Sequence, residues 1–218
     1  MTRIVPKDEG PEVRRVTWIG LFVNVMLTAI KFLAGIFGHS QALIADAIHS
    51  ASDLTTDIAI LVGSKYWYSP PDADHPNGHR KFETLITICI GFAIAAVGIF
   101  IILDSADALI QKNFSHPEII TAVVPFLSVI AKEILFRYTK NAGKKIRSQA
   151  LEANAWHHRS DALSSIPVLI AILITIIFPQ FNFIDSIGAL IVAVFIIKAG
   201  LSIILPAIHQ VADGAPNK

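Results

Sequence analysis

Long apolar runs, interrupted by short polar breaks, organise this chain from residue 15 onward. About 20 apolar residues cross the hydrocarbon core of a bilayer. On that ruler the pattern predicts six helices, over residues 15–37, 41–67, 83–110, 118–138, 151–178 and 183–205. The breaks carry turn residues: Gly38-His39-Ser40, Ser69-Pro70-Pro71, Asn113 to Pro117 and Pro179 to Asn182. The remaining connection, Thr139 to Ser148, is strongly basic. The expected fold class is all-α, a polytopic membrane protein built as a six-transmembrane-helix bundle. The expected layout is an N-terminal tail over 1–14, a six-helix transmembrane domain over 15–208 and a short C-terminal tail over 209–218.

Composition agrees with that reading. Hydrophobic residues make up 53% of the 218 and charged residues only 16%, well below the roughly one quarter usual in soluble domains. The first apolar run follows a polar segment of mixed charge and has no small-residue cleavage site, so it reads as a retained span rather than a signal peptide. Lysine and arginine placement sets the expected orientation. One side holds thirteen of them: Arg3, Lys7, Arg14, Arg15, Lys65, Arg80, Lys81, Arg137, Lys140, Lys144, Lys145, Arg147 and Lys218. The other side holds Lys112 alone. Both termini are therefore expected in the cytoplasm, with the chain in the cell (inner) membrane. A net charge of +1 offers no case for nucleic acid. The single cysteine, Cys89, can form no intramolecular disulfide and is expected to be a small buried hydrophobe.

Ionisable groups inside the apolar runs are the informative exception. Each costs at least about 2.5–3.5 kcal/mol at membrane depth, which makes function the default reading. On the second predicted helix Asp46, His49, Ser50, Asp53 and Asp57 fall along one stripe. The fifth carries Asn154, His157, His158 and Asp161, continued by Ser164 and Ser165. His49-x-x-x-Asp53 and His157-x-x-x-Asp161 each place an imidazole and a carboxylate on one helix face. Two such pairs on neighbouring helices supply two nitrogens and two oxygens, a set suited to a tetrahedral divalent metal. Asp104 and Asp107, near the outer end of the third helix, read as interfacially solvated. His39 and His116 read as exposed spacers in outer turns, and His209 as a cap on the last helix. Lys132-Glu133 reads as charge accommodated within or between helices, partly by snorkelling.

Three stretches carry a family resemblance. Leu43-Ile44-Ala45-Asp46-Ala47-Ile48-His49-Ser50-Ala51-Ser52-Asp53 resembles the second-helix signature of the cation diffusion facilitator family. Ala153-Asn154-Ala155-Trp156-His157-His158-Arg159-Ser160-Asp161-Ala162 resembles its fifth-helix signature. Asp72-x-x-His75-Pro76-Asn77-Gly78-His79-Arg80-Lys81-Phe82-Glu83 is similar to its second-to-third loop. The resemblance implies a homodimeric, six-helix secondary transporter that moves divalent metal ions out of the cytoplasm in exchange for protons. It implies a transport site at His49, Asp53, His157 and Asp161, with His158 the nearest rival for the third ligand. It also implies a cytoplasmic loop site at Asp72, His75 and His79, and a charge interlock at Lys81 and Asp213. Members typically carry a cytoplasmic C-terminal domain. This sequence stops at Asp213 to Lys218, so its regulatory sites are expected to be missing and any dimer to rest on helices or loops. Gly91, Ala95 and Gly98, a stripe of small residues on the third helix, are expected near such an interface.

Two imidazoles and two carboxylates suit Zn²⁺ as transported substrate, with Cd²⁺ tolerated. Mg²⁺ and Ca²⁺ prefer all-oxygen sites. Mn²⁺ fits less well, while Fe²⁺, Co²⁺ and Ni²⁺ stay open. Metal loading expels protons from such ligands, which makes proton exchange possible near neutral pH. No resident cofactor is expected. Enzymatic readings fail: an intramembrane metallohydrolase lacks its H-E-x-x-H base, and a haem carrier gives the aspartates no role. The alternatives are a transporter of Fe²⁺, Co²⁺ or Mn²⁺ and a passive metal channel.

Overall fold

The computed structural model describes residues 9–67, 72, 79–114, 116–146 and 148–211. They form six long helices: α1 (Glu9–Phe37), α2 (Gln41–Trp67), α3 (Arg80–Gln111), α4 (Ile120–Lys145), α5 (Gln149–Ile177) and α6 (Phe183–Val211). A single 3₁₀ turn, Pro179–Phe181, joins the last two. The fold is all-α, that of a polytopic helical membrane protein. α1, α3, α5 and α6 are long and apolar enough to cross a membrane. α2 and α4 are as long, 27 and 26 residues, or about 40 Å at about 1.5 Å per residue. Their composition is less apolar because Asp46 and Lys132, both buried, sit on them with further charges.

The helix ends differ most from expectation. α4 runs seven residues past the expected 138, absorbing most of the basic connection. Nothing in Tyr138 to Lys145 interrupts the ladder, and Lys144 and Lys145 suit the negative end of a helix. α6 continues through Pro206 to Val211, past the expected 205. α1 is described from Glu9, six residues before the expected 15.

The core is built of small and branched residues. Ala34, Ala42, Ala45, Ala122, Ala189 and Ala193 pack with Leu43, Val168, Ile172 and Ile196. Small side chains let helix backbones approach, which is how membrane helices gain contact where no hydrophobic drive separates them. α3 lies along α6, and here the small-residue stripe is spent. A Cβ on Gly91 would stand 2.5 Å from Ile204, one on Gly98 would stand 2.7 Å from Ile197, and one on Gly200 would stand 2.8 Å from the Gly91 carbonyl. Gly91 and Gly98 therefore seat α6 of the same chain, which corrects their expected place at a dimer interface. The outward faces carry Phe22, Phe100, Leu103, Ile110 and Ile119, all more than 60% exposed, as a lipid-facing surface would. Cys89 is exposed rather than buried in protein.

α2 is pinned at its start. The Ser40 hydroxyl accepts from Leu43 N–H at 3.1 Å and donates to Asp185 Oδ1 at 2.7 Å. Asp185 Oδ2 accepts from the backbone N–H of Gln41 at 2.7 Å and of Ala42 at 3.4 Å. A buried carboxylate from α6 thus satisfies donors at the positive end of α2. α5 is capped by Ser148, whose hydroxyl accepts from Leu151 N–H.

Candidate metal site

With both helices held at their first turns, α2 and α5 meet through a layer of polar contacts. The Ser165 hydroxyl lies 3.1 and 3.2 Å from the two oxygens of Asp46. Lys31 of α1 enters the same layer, 2.8 Å from Asp46 Oδ2, and donates to Ser165 at 3.0 Å and Ser50 at 3.3 Å. Two helical turns along α2 and one along α5, the next polar layer holds Asp53, His157 and Asp161. One ligand atom from each lies within 4.8 Å of the others.

Three of the four expected transport-site residues are thus brought together. Asp161 divides its oxygens: Oδ1 lies 3.8 Å from His157 Nδ1, and Oδ2 lies 2.6 Å from Lys132 Nζ of α4. His49 falls outside the cluster. Its Nδ1 is buried without a hydrogen-bond partner among the described residues. Its ring lines a cavity of about 510 Å³ that Asp161, Ser164 and Pro167 of α5 and Lys198 of α6 also border. His158, the rival ligand, is not among the three clustered residues. It is 2% exposed and packs where a Cβ on Gly20 of α1 would stand 3.2 Å from its Nε2. One residue along a helix rotates a side chain by about 100°, which separates His157 from His158.

Of the loop triad, Asp72 and His79 pair, Oδ2 to Nε2 at 3.2 Å, with His79 buried against Phe82. His75 lies outside the described residues, as do Asp213 of the expected interlock and the side chain of Asp57. Asp104 and Asp107 are exposed and bond to Gln41 and Gln111, in keeping with interfacial solvation. His39 and His116 are exposed. Glu133 bonds Arg137 on its own helix at 2.9 Å and faces Arg159 of α5 at 3.8 Å, so both forms of charge accommodation occur.

Four further residues take part without standing out in the sequence pattern. Lys31 and Lys198 sit inside apolar runs, where the loop charges that report orientation say nothing of them. Each is nonetheless visible as an intramembrane cation. Asp185 resembles part of an outer turn, and the inward aim of Lys132 emerges only from the packing of α4 on α5.

This arrangement can hold a divalent cation by carboxylate and imidazole, and its sequence has relatives. The family described as the cation efflux transmembrane domain matches residues 17–210. An uncharacterized transporter of Methanocaldococcus jannaschii is 37% identical over 95% of this chain and 72% of its own length. The manganese efflux system protein MneP of Bacillus subtilis is 34% identical over 92% of this chain and 69% of its own. Mitochondrial metal transporter 2 of Saccharomyces cerevisiae is 34% identical over 91% of this chain, which spans 46% of that protein. On a match that takes in nearly all of its six helices, the chain belongs to the cation efflux family, metal transporters rather than enzymes.

Proposed function

We propose that the chain exports divalent transition-metal ions from the cytoplasm in exchange for protons, with Zn²⁺ and Cd²⁺ as substrates and His49, Asp53, His157 and Asp161 as the transport site. The observation that carries this reading is the convergence of Asp53, His157 and Asp161 from two helices, next to a cavity that His49 lines. Carboxylates inside a membrane bundle are costly unless a cation compensates them. His49, whose Nδ1 is buried without a hydrogen-bond partner among the described residues, completes a four-ligand set by turning toward the cluster. Metal enters when imidazoles are neutral and carboxylates ionised, and protons from the other side displace it. The basic loop residues support a cytoplasmic placement of both termini in the cell membrane. Asp72, His75 and His79 act as a cytoplasmic recruiting site. The functional unit is a homodimer, and residues 15–208 form the transport domain.

Manganese is the second reading, favoured by one imidazole against two carboxylates in the preformed cluster and by the manganese efflux relatives. Flux of Zn²⁺, Cd²⁺, Mn²⁺ and Fe²⁺ into proteoliposomes, with and without an imposed pH gradient, tests both. Zn²⁺ and Cd²⁺ flux that rises with an opposing proton gradient is the expected result. Flux led by Mn²⁺ replaces the zinc reading, and flux indifferent to the gradient replaces the antiporter with a channel.

A further inference from the structure

Lys132 is a buried group that metal binding does not require. Its side chain is 5% exposed, it comes from α4, and its Nζ lies 2.6 Å from Asp161 Oδ2. The cavity beside the cluster is lined, among the described residues, from α2, α5 and α6. Metal and ammonium therefore reach the same carboxylate from different helices. With neutral imidazoles, two carboxylates and one ammonium leave the empty cluster with a single negative charge. A divalent ion added beside that ammonium reverses the sign, and the two cations repel across one carboxylate.

The released ammonium has somewhere to go. Ser128 stands one turn before Lys132 on the same face of α4, and its hydroxyl is buried with no hydrogen-bond partner among the described residues. His158, three residues before Asp161 on α5, buries both ring nitrogens in the same unpartnered state. Orphaned polar atoms of this kind are costly in one static state and useful in a second. We propose that Lys132 is a tethered competitor of the transported ion, holding Asp161 while the site is empty and swinging toward Ser128 and His158 when metal binds. The competition keeps affinity low enough for release, and the returning ammonium covers the carboxylate of the empty carrier.

This inference rests on the transport site proposed above. Calorimetric titration of Zn²⁺ into the full chain in nanodiscs tests it, beside proteoliposome flux. Lys132→Gln is expected to bind Zn²⁺ at least tenfold more tightly while turning over more slowly. Lys132→Arg is expected to bind more weakly than wild type, because a guanidinium grips a carboxylate with two donors. A merely structural lysine would shift affinity downward or not at all in Lys132→Gln. Unchanged or weaker binding there overturns the proposal, and if that variant does not fold, unchanged or tighter binding by Lys132→Arg does so. Asp53→Ala separates the two ideas: wild-type binding in that variant removes the site itself. Binding lost in Asp53→Ala but unchanged in Lys132→Gln removes only the competitor.

Discussion

Among the described residues, two lysine–aspartate pairs lie inside this bundle, and they are not alike. Lys31–Asp46 is sealed: both side chains are at most 2% exposed, and Ser50 and Ser165 surround the ammonium at 3.3 and 3.0 Å. Lys132–Asp161 is unfinished. Asp161 is 13% exposed, faces His157, and borders a cavity, while Lys132 has that carboxylate as its hydrogen-bond partner. A satisfied polar network fixes one arrangement of helices, whereas a partly satisfied one leaves a group ready to exchange partners. The first pair fastens α1, α2 and α5 at one level of the bundle; the second sits where α2 and α5 bring Asp53 and His157 together with Asp161.

Breaking the sealed pair should have the largest effect. Lys31→Met leaves Asp46 buried without its cation, and losing one partner of a buried pair costs about 3–5 kcal/mol. Thermal unfolding in detergent should show a loss of that order, with poor recovery of folded protein. Replacing both members, as Lys31→Met with Asp46→Leu, should recover most of it, because two apolar side chains need no partner. A single variant as stable as wild type would dissolve the contrast between the pairs.

The unfinished pair should respond in function first. Asp53→Ala removes a proposed ligand without orphaning either lysine. Changes one shell out from a metal cost about 10–100-fold, so losing a ligand should lower proteoliposome flux by at least that much. Unfolding temperature should stay near wild type, since Asp53 has no ion pair among the described residues. Near-normal flux would take Asp53 out of the transport site.

The same contrast separates what is legible in the sequence from what is not. Six helices are legible from the length of the apolar runs, and two His/Asp stripes because ionisable groups within those runs are costly unless they are partnered or functional. The partners of those groups are not. Lys31 and Asp46 are 15 residues apart, and Lys132 and Asp161 are 29 apart. Only the packing of α1 on α2 and of α4 on α5 brings them together. The choice between His157 and His158 turns on Gly20 of α1, which leaves room for the second ring. Gly91 and Gly98 signal a close approach but not to which helix. Helix ends past residue 138 and past 205 are hidden because the ladder continues beyond the apolar run, where hydropathy carries no information.

The smallest effect sharpens the comparison from inside the sealed layer. Ser165 accepts a hydrogen bond from Lys31 at 3.0 Å and donates to Asp46 at 3.1 Å. Ser165→Ala removes these bonds and the 3.3 Å hydrogen bond from the same hydroxyl to the Asp161 carbonyl, but keeps the ion pair at 2.8 Å and the Ser50 contact. A net hydrogen bond is worth about 1 kcal/mol, so stability should fall by about 1–2 kcal/mol. Flux should stay close to wild type, because the Asp161 carboxylate, one turn earlier on α5, keeps Lys132 and His157, and its backbone carbonyl keeps Ser164. Stability unchanged with flux abolished would place the serine layer on the ion's path. The sealed pair would then be a second station for the transported cation, and the division between fastening and carrying would fall one turn further along α5.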